Sequence, residues 1–143
     1  MRNPNRRVDL LRRMTRLREV EQRAAALRVA EAAGLHGQLI HLHQRSGEIA
    51  AAYASHEHTH NAGDLAGRLR FLAGLQAILH ETEGDRRKAE RSSEEALSEL
   101  KLAERRRDVV GERLVAERQA AEKQLRARDV AGPSPILARK LKG

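Results

Sequence analysis

The run Leu35, Leu39, Leu42, Ser46, Ile49 and Tyr53 keeps strictly alternating spacings of four and three residues, and no other feature commits this chain so firmly to helices. An α-helix returns to the same face after three or four residues, so such a row forms one stripe that another helix must cover. An earlier row, Leu10, Met14, Leu17, Ala24 and Leu27, recurs at similar spacings about one residue out of phase. A stutter toward an eleven-residue repeat would accommodate both rows in one helix. Composition points the same way: 143 residues contain one Phe, one Tyr and no Trp, and Ala, Arg, Glu and Leu dominate. That balance belongs to coiled coils and long helices rather than to sheets or enclosed pockets.

Asn3-Pro4 reads as an N-cap followed by proline at the first helical position, where no N–H is needed. A first long helix is therefore predicted over 4–54, softened by Gly34, Gly37 and Gly47 at roughly 1 kcal/mol each. Residues 55–84 form the turn and tip, with Asp64 as N-cap of a short apolar helix over 65–80. Ala89, Ala96, Leu97, Leu100, Ala103, Val110, Leu114, Ala121 and Leu125 line one side of a second long helix, 85–131, which Gly132-Pro133 ends. Residues 132–143 remain as a basic tail. The alternative is one continuous helix over 64–131, which, paired from the turn outwards, would leave Leu114, Ala121 and Leu125 overhanging. The expected fold is all-α: an elongated, antiparallel two-helix coiled-coil hairpin with a short helical segment at its tip.

Charge is unevenly distributed. Residues 1–28 carry a net +6, residues 29–84 a net −3 and residues 85–143 a net +5, giving the chain its +8. An antiparallel hairpin would gather both basic ends, with Arg12, Arg13, Arg16, Arg106, Arg107 and Arg113 among them. Acidic residues interleave with the arginines, as on a solvated coiled-coil face, and no aromatic platform for stacked bases accompanies them. Specific nucleic-acid recognition is not expected. The chain has no cysteine, so disulfides and thiolate metal sites are impossible. No apolar run is long enough to span a bilayer, and a soluble cytoplasmic protein is predicted.

The stretch His56-Glu57-His58-Thr59-His60-Asn61-Ala62-Gly63 matches the opening of a zinc-protease signature. In the long form of that signature the third histidine falls three residues after the glycine, and Ala66 stands there. Adventitious metal binding by this histidine-rich tract and a solvated turn are the competing readings, and the composition favours the turn. No nucleophile with a base, phosphate-cradling loop or paired carboxylates is present, so neither an enzyme nor a cofactor is expected. Phe71, Leu75 and Ile78 make an i, i+4, i+7 row that either packs on the hairpin tip or docks a partner protein.

VDLLRRMTRLREVEQRAAALRVAEA and AERRRDVVGERLVAERQ, within a span of residues 8–128, resemble the two long helices of the FliJ family of flagellar and type III secretion export proteins. The resemblance implies a non-enzymatic, cytoplasmic component, peripheral to the inner membrane at the export apparatus. Its basic end would enter and stimulate the hexameric export ATPase, and the row Phe71, Leu75, Ile78 would dock on the export-gate membrane protein. Export chaperones are further implied partners. Val8 replaces the Phe frequent in the family, and the family's histidine near the tip falls at Thr82, with His80 close by. A generic basic coiled-coil adaptor or a nucleic-acid-associated protein is the alternative.

Overall fold

A computed structural model describes residues 3–55 and 61–131. These form two α-helices, α1 (Pro4–Ser55) and α2 (Ala62–Val130), with no strand among the described residues. The fold is the expected all-α, two-helix hairpin. α1 begins as the sequence implies, with the Asn5 N–H donating to Asn3 Oδ1 at 3.1 Å and Pro4 in the first turn.

Both helices pass through two compact units, one built from residues 1–24 and 101–143, the other from 25–100. In the second unit, α1 presents Ala25, Val29, Ala32, His36, Leu39, His43, Ser46 and Ala50 to α2, a strict four-and-three progression of buried and half-buried positions. α2 answers with Leu75, Leu79, Thr82, Arg86, Ala89, Ser93, Ala96 and Leu100 at the same period. The helices run antiparallel, as His43 meets Thr82 at 3.0 Å while Arg28 reaches Glu99 at 3.6 Å. In the first unit the corresponding rows are Val8, Leu11, Thr15, Arg18 and Gln22 on α1 and Ala103, Arg107, Val110, Leu114 and Glu117 on α2. Val8, Ala103, Val110 and Leu114 are its buried apolar side chains, and Arg7 pairs with Glu117 at 3.7 Å.

Three expectations change. The two leucine rows of α1 do not form the seam: Leu10, Leu17, Leu27, Leu35, Leu42 and Ile49 are all exposed, and of the second row Leu39 and Ser46 lie on the stripe that faces α2, with the exposed Tyr53 touching Phe71 at its end. Two rows one residue out of phase cannot both face one partner, so the contact follows the single phase that α1 sustains from Val8 to Ala50. Next, α2 has no break at 81–85, and residues 65–80 are the first turns of the long helix. Thr82, within the segment expected to form the turn and tip, donates its hydroxyl to the Ile78 carbonyl at 2.8 Å, the back-bond that lets threonine sit inside a helix. Finally, Asn61 rather than Asp64 caps α2, accepting the Asp64 N–H on Oδ1 at 2.8 Å.

The predicted overhang also shrinks. Pairing from the turn outwards would set residue 54 opposite 64, but Tyr53 lies against Phe71. This shift gives Leu114 a partner and buries it, Ala121 is half-buried, and Leu125 stays exposed as anticipated.

Candidate functional site

The row Phe71, Leu75, Ile78 is divided by the helix that carries it. Leu75 lies on the contact stripe of α2 and is 8% exposed, whereas Phe71 and Ile78, one position around the helix, are 45% and 44% exposed. Leu75 therefore belongs to the interior, and a docking surface here can use only Phe71 and Ile78 directly. Phe71 tilts by 42° onto Tyr53 with ring centroids 4.5 Å apart, and the Arg68 guanidinium lies 5.4 Å from the Tyr53 ring centroid. Arg68 also donates Nη2–H to the Tyr53 carbonyl at 3.0 Å, satisfying one of the carbonyls orphaned at the end of α1. Gly63 and Gly67 leave a groove beside this cluster, bounded by Ile49, Ala52, Tyr53, Asp64 and Arg68. Sequence reasoning missed Tyr53 and Arg68 because they come from different helices, and no local spacing links them.

Below the cluster the stripe turns polar. Thr82 is buried, and its hydroxyl lies 2.8 Å from the Ile78 carbonyl and 3.0 Å from His43 Nδ1. The other ring nitrogen of His43, Nε2, faces Glu83, 3.8 Å from Oε2. Glu83 is gripped by Arg86 through two hydrogen bonds of 2.8 and 2.9 Å and by Arg87 at 3.2 Å. The Arg86 hydrogen bonds are the largest cause holding the Glu83 carboxyl at about 2, well below its usual 4.5. A depressed carboxylate contributes stability that is complete above its unfolded value and disappears as pH falls through the folded one. Wild type should therefore lose stability relative to Glu83→Gln between pH 4.5 and about 2, and parallel denaturation curves that stay superimposed across that window would contradict the arrangement. Two turns earlier on α1, His36 Nε2 is buried without a hydrogen-bond partner among the described residues.

The arginines named from sequence do not form one patch. Arg12, Arg13 and Arg16 lie exposed on the outer side of α1, while Arg106 and Arg113 are exposed on α2 and Arg107 is half-buried in the stripe. Arg12 reaches Asp9 at 3.8 Å and Arg107 reaches Asp108 at 3.1 Å, whereas Arg13, Arg16, Arg106 and Arg113 make no salt bridge among the described residues. Arg113 instead borders an apolar groove with Leu10, Leu11 and Met14. The first unit, residues 1–24 with 101–143, carries a net +11 and the second a net −3. Of that charge, +7 belongs to the described residues 3–24 and 101–131, +4 on α1 and +3 on α2.

His56, Glu57, His58 and His60 lie outside the described residues, and no group of three or more potential metal ligands stands together among those described. No described helix is long and apolar enough to cross a membrane. No protein-family model, curated protein or solved structure matches the chain.

Proposed function

We propose that this protein is a non-enzymatic coupling component of a flagellar or related type III export apparatus, binding and stimulating the hexameric export ATPase and connecting it to the export gate. The observation that carries the reading is the first unit: a two-helix segment whose described residues, 3–24 and 101–131, carry a net charge of +7, with arginines on both helices that make no salt bridge among the described residues. A ring lined by acidic side chains would attract such a segment from every side, and long-range attraction of this kind accelerates encounter as well as tightening it. The resemblance of residues 8–128 to the FliJ family supports the same reading. In this proposal Arg13, Arg16, Arg106 and Arg113 contact the ATPase, while Phe71 and Ile78, backed by Tyr53, meet the gate protein at the cytoplasmic face of the inner membrane.

Adding the purified protein to the cognate export ATPase should raise ATP hydrolysis. The quadruple replacement of Arg13, Arg16, Arg106 and Arg113 by Glu should weaken binding by about 100-fold at low salt, with helicity unchanged. Four exposed cations, each worth up to about 1 kcal/mol in a screened pairing, set that scale. Unaltered hydrolysis on adding wild-type protein would sink the export reading. Steep, salt-dependent binding to DNA of any sequence would instead favour a nucleic-acid role.

A further inference from the structure

We propose that Leu35 and Leu42, the first two members of the exposed row Leu35, Leu42, Ile49 of α1, bind the same two residues of a second copy of this chain, antiparallel, about a two-fold axis passing near Gln38. The row repeats every seven residues and is 54%, 48% and 41% exposed. It lies immediately beside the stripe that faces α2, where apart from Leu75 the buried positions are small or polar, Ala25, Ser46, Thr82, Ala89 and Ala96. Of the Leu and Ile side chains on this part of α1, Leu27, Leu35, Ile40, Leu42 and Ile49 are exposed and only Leu39 is turned to α2. A heptad of leucine-sized residues is a surface cut for another helix, because only a helix presents knobs at the same period.

The charges around the row select its occupant. Glu31 and Arg45 stand four residues before Leu35 and three after Leu42, on the same side of α1, and neither makes a salt bridge among the described residues. An antiparallel second copy centred near Gln38 places Leu35 beside Leu42 of the other copy and Glu31 beside its Arg45. Two-fold symmetry makes each contact twice. A parallel copy would oppose Glu31 to Glu31 and Arg45 to Arg45. Within the unit of residues 25–100, the exposed apolar positions of α2 do not continue as a seven-residue row among the described residues: Phe71 and Ile78 are followed at that interval by Asp85, Ser92 and Glu99, and the exposed Leu65 and Leu69 by the half-buried Leu72 and by Gln76. The patch is small beside an interface of roughly 800 Å² per partner, so the pairing is a concentration-dependent equilibrium in the micromolar range. It stands independently of the export reading.

Sedimentation velocity of the full chain over a roughly 100-fold concentration range tests it. The mass should climb from 16.0 kDa toward twice that value. Leu42→Glu, at a half-exposed position, should weaken self-association by at least about 100-fold with circular dichroism unchanged. Glu31→Arg should also weaken it, and adding Arg45→Glu should restore it. Because the chain has no cysteine, Gln38→Cys should form a self-disulfide under mild oxidation, and combining it with Leu42→Glu should suppress that product. A protein that stays at 16.0 kDa throughout, or an oligomer indifferent to Leu42→Glu and to the charge swap, overturns the proposal and leaves the row to a different partner.

Discussion

Leu75→Ala lowers the stability of the purified protein by about 2–3 kcal/mol, measured by urea denaturation followed at the helical circular-dichroism band. Leu75 is 8% exposed and lies on the α2 stripe that meets α1, so truncation removes apolar contact and leaves a gap that two continuous helices cannot easily close. Full cavity costs reach about 5 kcal/mol in globular cores, and a two-helix contact with solvent on both sides falls in the lower half of that range. Phe71→Ala and Ile78→Ala should each cost about 1 kcal/mol or less, because both side chains are nearly half exposed already. The same three variants discriminate function. Loss of gate-protein binding in Phe71→Ala and Ile78→Ala at unchanged stability would mark these two as docking residues, while a large stability loss in Phe71→Ala would place its stack on Tyr53 in the core instead.

Ala25→Glu should be worse still, costing about 3 kcal/mol or more, whereas Ala24→Glu should stay within about 1 kcal/mol. Ala25 is 1% exposed, and its neighbour Ala24 is only half-buried. A glutamate at position 25 must either drive its carboxylate between the helices without a partner or push them apart. At position 24 the longer side chain turns to solvent. Differential scanning calorimetry of both variants reads the contrast directly, and equal losses would mean that the contact stripe is rotated from its assigned phase.

These two tests probe a feature that the sequence states ambiguously. Leu10, Leu17, Leu35, Leu42 and Ile49 are the residues by which α1 declares itself a helix with an apolar side, yet all of them are exposed. Hydrophobic periodicity identifies a helix, but with two rows one position apart it does not say which face the intramolecular partner takes. Ala89, Ala96 and Ala103 were legible as one side of α2, and all three are buried as that spacing implies. The break expected near Thr82 failed because a local preference for caps and turns was overridden by a back-bond within the helix and by the His43 contact from α1. The candidate site was half legible. Phe71 and Ile78 stand exposed, but Leu75, which shares their spacing, is turned inward.

From sequence alone follow the all-α class, the capped start at Asn3-Pro4, a first long helix ending near residue 54, and the concentration of basic charge at both ends. Each rests on local or compositional physics: helical period, capping chemistry, the scarcity of aromatic bulk and the count of charges. Tertiary packing alone decided the register that sets His43 against Thr82 and Tyr53 against Phe71, and with it which leucines are covered. Register is a property of two surfaces fitted together. Sliding one helix by a single heptad leaves every local preference in the chain unchanged while exchanging every contact across the seam.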